Sequence, residues 1–138
     1  MENRTVFDTN VWISYFLSEK FSELIALRRE RRVLFLRSTP SLSELKEVIT
    51  RKKFLSKNFN VEKLIDFYNG ITEFCETKPL FNDCSDPKDN FLFDLAIQGK
   101  ASYLVSGDKK VLETPIENNI LTLTTLTLFK DKFKTFLT

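Results

Sequence analysis

Four carboxylic acids stand at positions where an α/β protein could gather them into one site. Asp8 directly follows a short apolar, β-branched run, and Asp108 lies just beyond another such run. Glu44 and Asp89 each fall in the first turn of a predicted helix. Carboxylates gathered without histidine are the ligands that hard cations such as Mg²⁺ and Mn²⁺ prefer. The pattern therefore indicates a divalent-metal site built from acids.

The composition excludes most other kinds of catalytic site. The 138 residues include no histidine, 2 cysteines and 3 glycines, and the formal net charge is +2. Without histidine there is no Ser–His–Asp triad, no Cys–His pair and no ordinary zinc site. So few glycines leave no phosphate-binding glycine-rich loop. No apolar signal segment or membrane-length apolar run is present, so we expect a cytoplasmic protein.

Helical and strand patterns alternate along the chain, which predicts a parallel sheet covered by helices. The predicted strands are 5–7, 33–36, 103–106 and 120–123. Right-handed crossovers between such strands give a three-layer α/β/α sandwich. We find no linker or repeat and therefore predict a single domain over residues 1–138. Because ligands bind beyond the carboxyl ends of parallel strands, the four acids are expected to meet at that edge.

Three helix boundaries are predicted from local signals. Apolar residues at helical spacing predict one helix from Val61 to Phe74. Asp86 followed by Pro87 is typical of a helix N-cap with proline at the first position. That helix is expected to end at Gly99 as its C′ residue.

Each acid also has a purely structural interpretation. Asp8 and Asp108 could cap the helices that follow them, and Asp89 could favour a helix dipole from the first turn. Glu44 could form a capping box with Ser41. The functional interpretation is favoured because all four caps would otherwise have to coincide at the one edge where sites form.

Other acids and the two cysteines receive structural interpretations only. Asp83 is assigned to loop solvation, Asp86 to the helix cap and Asp94 to an exposed helix face. Cys75 and Cys84 are expected to be reduced thiols, because a chain without an export signal seldom forms disulfides.

The motifs that carry these acids resemble those of the PIN-domain family. Asp-Thr-Asn-Val-Trp at 8–12 resembles the family's opening segment, and Ser-Glu-Leu at 43–45 its second acidic position. The segments 86–96 and 101–109 resemble the C-terminal half closely. The likeness spans nearly the whole chain, and its nearest branch is the prokaryotic toxins of toxin–antitoxin pairs.

This resemblance implies a metal-dependent endoribonuclease on an α/β/α sandwich, using Mg²⁺ or Mn²⁺ to activate water. The implied partners are an RNA substrate, an antitoxin protein and a second copy of the chain in a homodimer or higher oligomer. The implied acidic quartet, which serves as both catalytic and metal-binding set, is Asp8, Glu44, Asp89 and Asp108. Asn10 and Ser106 correspond to the family's supporting polar residues. Lys110 and Asn90 stand where many relatives have aspartate, and Ser102 also replaces a frequent aspartate.

Two basic runs are candidates for phosphate contacts. They are Arg28 to Arg32, and Arg51 to Lys53 together with Lys57. Both lie near predicted helix C-termini, where cations also favour the dipole. The aromatic residues Phe129, Phe133 and Phe136 are candidates for an oligomer or antitoxin interface.

Two other functions fit parts of the pattern. An aspartyl-phosphate phosphatase would need a second aspartate two residues after the first, but that position is Asn10. A catalytically inactive RNA-binding or interaction module would keep the fold without the chemistry, since fold alone does not fix function.

Overall fold

A computed structural model describes residues 2–51, 60–117 and 120–137, the last four by their backbone only. The strands are β1 (Asn3–Phe7), β2 (Val33–Arg37), β3 (Thr72–Phe74), β4 (Tyr103–Val105) and β5 (Thr122–Thr124). The α-helices are α1 (Thr9–Leu17), α2 (Phe21–Glu30), α3 (Thr39–Ile49), α4 (Val61–Ile71), α5 (Asn90–Gln98), α6 (Lys109–Leu112) and α7 (Leu126–Leu137). A 3₁₀ helix, Pro87–Asp89, precedes α5.

All five strands are parallel and lie in the order β3-β2-β1-β4-β5. The chain runs outward from β1 to β3 on one side and then returns to β4 and β5 on the other. The direction of winding therefore reverses between β1 and β4. In open parallel sheets, the crevice at such a reversal is where ligands bind.

Alternate residues of the three central strands, β1, β2 and β4, point into two separate cores. Phe7, Phe35 and Val105 face a large aromatic core made with α1, α2, α3, α4 and α7. Val6 and Leu104 face a second core made with α5 and α6. Helices thus cover both faces of the sheet, as the predicted three-layer α/β/α fold requires.

The predicted helix over 61–74 is wrong at its C-terminal end. The helix stops at Ile71, and Thr72–Phe74 forms the edge strand β3, which pairs with β2 through Phe35 and Thr72. A strand of three residues is too short to show a period of two, so only its pairing reveals it. The last strand is also displaced, from the predicted 120–123 to Thr122–Thr124.

Two predicted helix termini are also placed differently. Helix α3 begins before the predicted capping box, because Ser38 and Ser41 form the box themselves. Glu44 consequently lies in the second turn and not the first. At the end of α5, Gly99 has φ of −80°, and the left-handed residue is Lys100 with φ of 54°. A Cβ on Gly99 would lie 2.7 Å from the Leu36 side chain, so close packing explains the glycine.

The proposed aromatic interface is wrong for two of its three residues. Phe129 and Phe133 are buried in the chain's own core, while the side chain of Phe136 lies outside the described residues. Cys75 and Cys84 are free thiols, as expected. None of the described helices is long and apolar enough to cross a membrane.

Candidate active site

The site begins where β1 and β4 end side by side. The Asp8 backbone N–H donates to the Val105 carbonyl oxygen at 2.9 Å, which continues the pairing of the two strands by one residue. The Ser106 hydroxyl then donates to Asp8 Oδ2 at 2.6 Å, and both side chains are buried. The Asp108 backbone N–H donates to the same hydroxyl oxygen at 3.0 Å. One serine therefore links the ends of the two strands.

Asp8 occupies the N-cap position of α1, but its side chain makes no hydrogen bond of full capping geometry to the helix. The backbone N–H groups of Asn10 and Thr9 are nevertheless directed at the Asp8 carboxylate. Burial raises the pKa of its carboxyl above the ordinary value of 3.8, and the nearby Asp108 raises it further. The Ser106 hydroxyl opposes this rise by stabilising the charged form. The carboxylate is therefore held by Ser106 after β4 as well as by backbone N–H groups at the start of α1.

Asp89 is brought to Asp8 and Asp108 by the turn that precedes α5. Asp86 caps this turn by accepting from the Lys88 backbone N–H at 3.1 Å, as the sequence predicted. The pKa of Asp89 is raised from 3.8 to about 6, mainly by burial and in addition by the charges of Asp8, Asp86 and Asp108. A side-chain hydrogen bond with Asp108 adds to the rise, because it favours the protonated form.

Asp108 serves two purposes. Its Oδ1 accepts from the Lys110 backbone N–H at 2.9 Å, so it caps α6 as its structural interpretation predicted. The same side chain is close enough to Asp8 and Asp89 to perturb both. Capping therefore does not exclude a place in the acidic cluster, because the cap itself fixes the side chain at the sheet edge.

The charge of Glu44 and the side chain of Asn10 are not among the causes of the pKa shifts in this cluster. Glu44 is half-buried on α3, and it is not among the charges that perturb Asp8 and Asp89. Asn10 is exposed, and only its backbone N–H is directed at the Asp8 carboxylate. The structure thus groups three of the four predicted acids with Ser106.

Sequence reasoning missed Asp94, which was assigned to an exposed helix face. Asp94 is only 6 % exposed, and its side chain accepts hydrogen bonds from the backbone of the loop before the acidic turn, by which we mean Pro87–Asp89. A signal was present, since Asn90, Asp94 and Gln98 repeat at a spacing of four within an otherwise apolar helix. Such a stripe marks a polar strip on one helix side.

The basic residues separate into two regions. Arg28, Arg29 and Arg32 lie with Glu2 at the opposite edge, since the Arg32 carbonyl accepts from the first residue of β1. Asp8 lies five residues further along the chain than Asn3, the first residue of β1. At roughly 3.3 Å per strand residue, Asp8 is about 17 Å from the level of Arg32. Lys88 and Lys110, in contrast, are exposed beside the acids. Of the other predicted run, residues 52–59 lie outside the described part of the chain.

The donor set fits a hard divalent cation. Within the described ranges, no group of three acidic or thiol side chains is already placed to hold a metal ion. Mg²⁺ does not need one, because it keeps several waters and is held through only one or two carboxylates. Asp8 and Asp89, which oppose each other's ionisation, meet that requirement.

A parallel sheet with helices on both faces and an acidic cluster at its reversal point defines the class of this protein. It is an α/β/α protein with three aspartates grouped where the neighbouring strands β1 and β4 end. The PIN domain family model matches residues 4–110, and the chain belongs to this family.

A solved structure shares the fold. It is described as the crystal structure of VapBC2 from Rickettsia felis bound to a DNA fragment from their promoter. The TM-score is 0.59 at 17 % identity, and the match covers 87 % of this chain and 98 % of the other. Among curated proteins, none matches the sequence significantly.

Proposed function

We propose that the protein is a divalent-metal-dependent endoribonuclease, with Mg²⁺ or Mn²⁺ as its metal. The observation that supports this most directly is that Asp8, Asp89 and Asp108 meet where β1 and β4 end, with Asp8 held by Ser106. Burial, together with the charges of Asp8, Asp86 and Asp108, raises the pKa of Asp89 there to about 6. Carboxylates this close cannot all ionise cheaply without a neighbouring cation. The site is therefore better suited to a cation than to remaining without one.

The residues of the cluster would divide the work as follows. Asp8 and Asp89 would hold the metal, and Asp108 would be a ligand or support one. A bound divalent cation supplies positive charge to the scissile phosphate and lowers the pKa of water. Ser106 orients Asp8 and favours its ionised form through its hydrogen bond at 2.6 Å. Asp89 must lose its proton before it can bind a cation.

Glu44 and Asn10 are proposed in outer roles. Glu44, half-buried on α3, would complete the site as a ligand or as the carboxylate that orients the attacking water. Asn10, exposed at the start of α1, would hold water or substrate by hydrogen bonds.

We further propose that the enzyme is the toxin of a toxin–antitoxin pair. The support is the shared fold with VapBC2 and the motif likeness to toxins of the PIN family. A toxin of this kind would arrest bacterial growth when expressed alone, and Asp8→Asn should abolish the arrest at equal protein levels. Growth arrest by the Asp8→Asn variant would contradict a nuclease toxin.

The nuclease proposal is tested with labelled single-stranded RNA. The purified protein is incubated with Mn²⁺, Mg²⁺ or EDTA, alongside Asp8→Asn and Asp89→Asn variants. Asp66→Asn is the matched control, because it removes the same charge from an exposed position on α4. Cleavage should require metal and both site acids, and the Asp66 variant should cleave normally.

The other outcomes separate the alternatives. Cleavage that persists in EDTA, or in folded Asp8→Asn protein, would exclude the metal-nuclease mechanism. RNA binding without cleavage would indicate an inactive module. Release of phosphate from small monoesters would favour a phosphatase, although Asn10 lacks the acid that such an enzyme needs there.

A further inference from the structure

Helix α5 carries a line of three polar side chains that fasten one loop. Asn90, Asp94 and Gln98 are spaced four residues apart and so lie along one side of the helix. Each bonds to backbone groups between residues 78 and 84, in the loop that leads from β3 to the acidic turn. We name these three residues the α5 stripe.

Asp94 and Gln98, the second and third residues of the α5 stripe, make most of its hydrogen bonds. Asp94 Oδ1 accepts from the Leu80 backbone N–H at 3.0 Å and the Phe81 backbone N–H at 2.8 Å. Gln98 accepts from the Lys78 backbone N–H at 2.9 Å and donates to the Lys78 carbonyl at 2.7 Å. Gln98 also donates to Asp94 Oδ1 at 3.3 Å, which joins the two into one network.

At the N-terminal end of the α5 stripe, the loop contacts the two turns that carry Asp89 and Asp108. The Cys84 backbone N–H donates to Asn90 Oδ1 at 3.1 Å, next to Asp89. The buried Cys84 thiol donates to the Lys110 carbonyl at 3.8 Å, within the helix that Asp108 caps. The segment at Cys84 therefore lies between the two turns that carry these acids, and the α5 stripe determines where it lies.

Burying the Asp94 carboxylate costs free energy, which an incidental surface residue would not require. A buried carboxylate is unfavourable unless it is paired or fully hydrogen-bonded. Among the described residues no cation pairs with it, and its hydrogen bonds come from two backbone amides and Gln98. Two backbone amides converging on one charged oxygen hold that loop more firmly than neutral acceptors would.

We propose that Asp94 is a positioning residue for the metal site, which acts through the loop and the Cys84 contacts to set the distance between Asp89 and the Asp8–Asp108 pair. This inference rests on the proposed metal-dependent function. Asp94 does not itself contact the metal or the substrate. Its loss should weaken cation binding even where the protein remains folded.

The test measures Mn²⁺ binding by calorimetry without RNA, well below the unfolding temperature. Asp94→Leu keeps the number and branching of the side chain's heavy atoms but removes every acceptor, whereas Asp94→Asn keeps the Oδ1 acceptor. We expect Asp94→Leu to weaken Mn²⁺ binding by about tenfold or more, as loss of an outer support typically does, and Asp94→Asn to restore most of the affinity. Gln98→Ala, at a half-buried position, should give a smaller loss in the same direction and serves if Asp94→Leu does not fold.

Ile97→Ala is the matched control, since this half-buried residue lies on the same helix but outside the α5 stripe. It should lose stability without losing Mn²⁺ affinity. Equal Mn²⁺ affinity in wild type, Asp94→Leu and Gln98→Ala would overturn the positioning role. No Mn²⁺ binding by the wild type would instead overturn the proposed function.

Discussion

Replacing Asp89 with asparagine should stabilise the metal-free protein while it removes cation binding. The carboxyl has a pKa of about 6 in place of 3.8, mainly because burial disfavours its charge. At roughly 1.4 kcal/mol per pKa unit, this rise costs about 3 kcal/mol of folding free energy at pH 7. Because Asp89 is partly exposed, solvent screening lowers the cost to about 1–2 kcal/mol. Asparagine removes the charge and can still donate a hydrogen bond to Asp108.

The raised pKa of Asp89 also determines how the free energy of unfolding changes with pH. Between pH 3.8 and about 6 the folded protein binds more protons than the unfolded chain, so the free energy of unfolding falls as pH rises through that window. The advantage of Asp89→Asn should therefore be complete above pH 6 and absent below 3.8. For a domain of 138 residues, about 1–2 kcal/mol corresponds to a Tm increase of roughly 3–6 °C.

The assay is thermal unfolding in EDTA at pH 7.5 and again near pH 3.5, with the exposed Asp66→Asn as the control for loss of one charge. The variant should unfold at a higher temperature only at the higher pH, and added Mn²⁺ should raise the Tm of wild type but not of the variant. A lower Tm for Asp89→Asn at pH 7.5, or an equal gain at both pH values, would refute the raised pKa of Asp89.

Three further predictions follow from single contacts. Ser106→Ala should lower the cleavage rate and cost about 1.5–3 kcal/mol in chemical denaturation, because a short hydrogen bond to a buried carboxylate is lost; unchanged rate and stability would contradict this. Gly99→Ala should destabilise the protein by about 1–3 kcal/mol, since its Cβ would lie 2.6 Å from a backbone oxygen. Gly70→Ala should stabilise the protein by about 0.5–1 kcal/mol, because a Cβ there would have nothing within 4 Å. In RNA-binding titrations with EDTA at several salt concentrations, Lys110→Gln should reduce the salt slope by about 0.7. Arg29→Gln, which removes the same charge at the far edge of the sheet, should leave the slope unchanged. Equal effects of the two substitutions would contradict the prediction that Lys110, and not Arg29, contacts an RNA phosphate.

Much of the fold was predictable because its signals are local. Apolar runs and helical spacing identified four of the five strands and the helices between them, and alternation of the two predicts a parallel sheet. The cap formed by Asp86 and Pro87 was predicted correctly for the same reason, since capping depends on neighbours in the chain. The short strand Thr72–Phe74 was not predicted, because nothing within its three residues distinguishes it from the end of a helix.

The sequence by itself determined which residue types could do chemistry and which edge of the sheet would hold them. Without histidine, any acid–base or metal chemistry falls to carboxylates, and those after β1 and β4 must meet because parallel strands end at one edge. Only the tertiary structure decided which acids form the cluster. It brought Asp8, Asp89 and Asp108 together, and it showed that Asp94, expected at the surface, is buried and hydrogen-bonded to a loop. Burial and distance across the chain fix these assignments, and neither can be read from neighbours in the sequence.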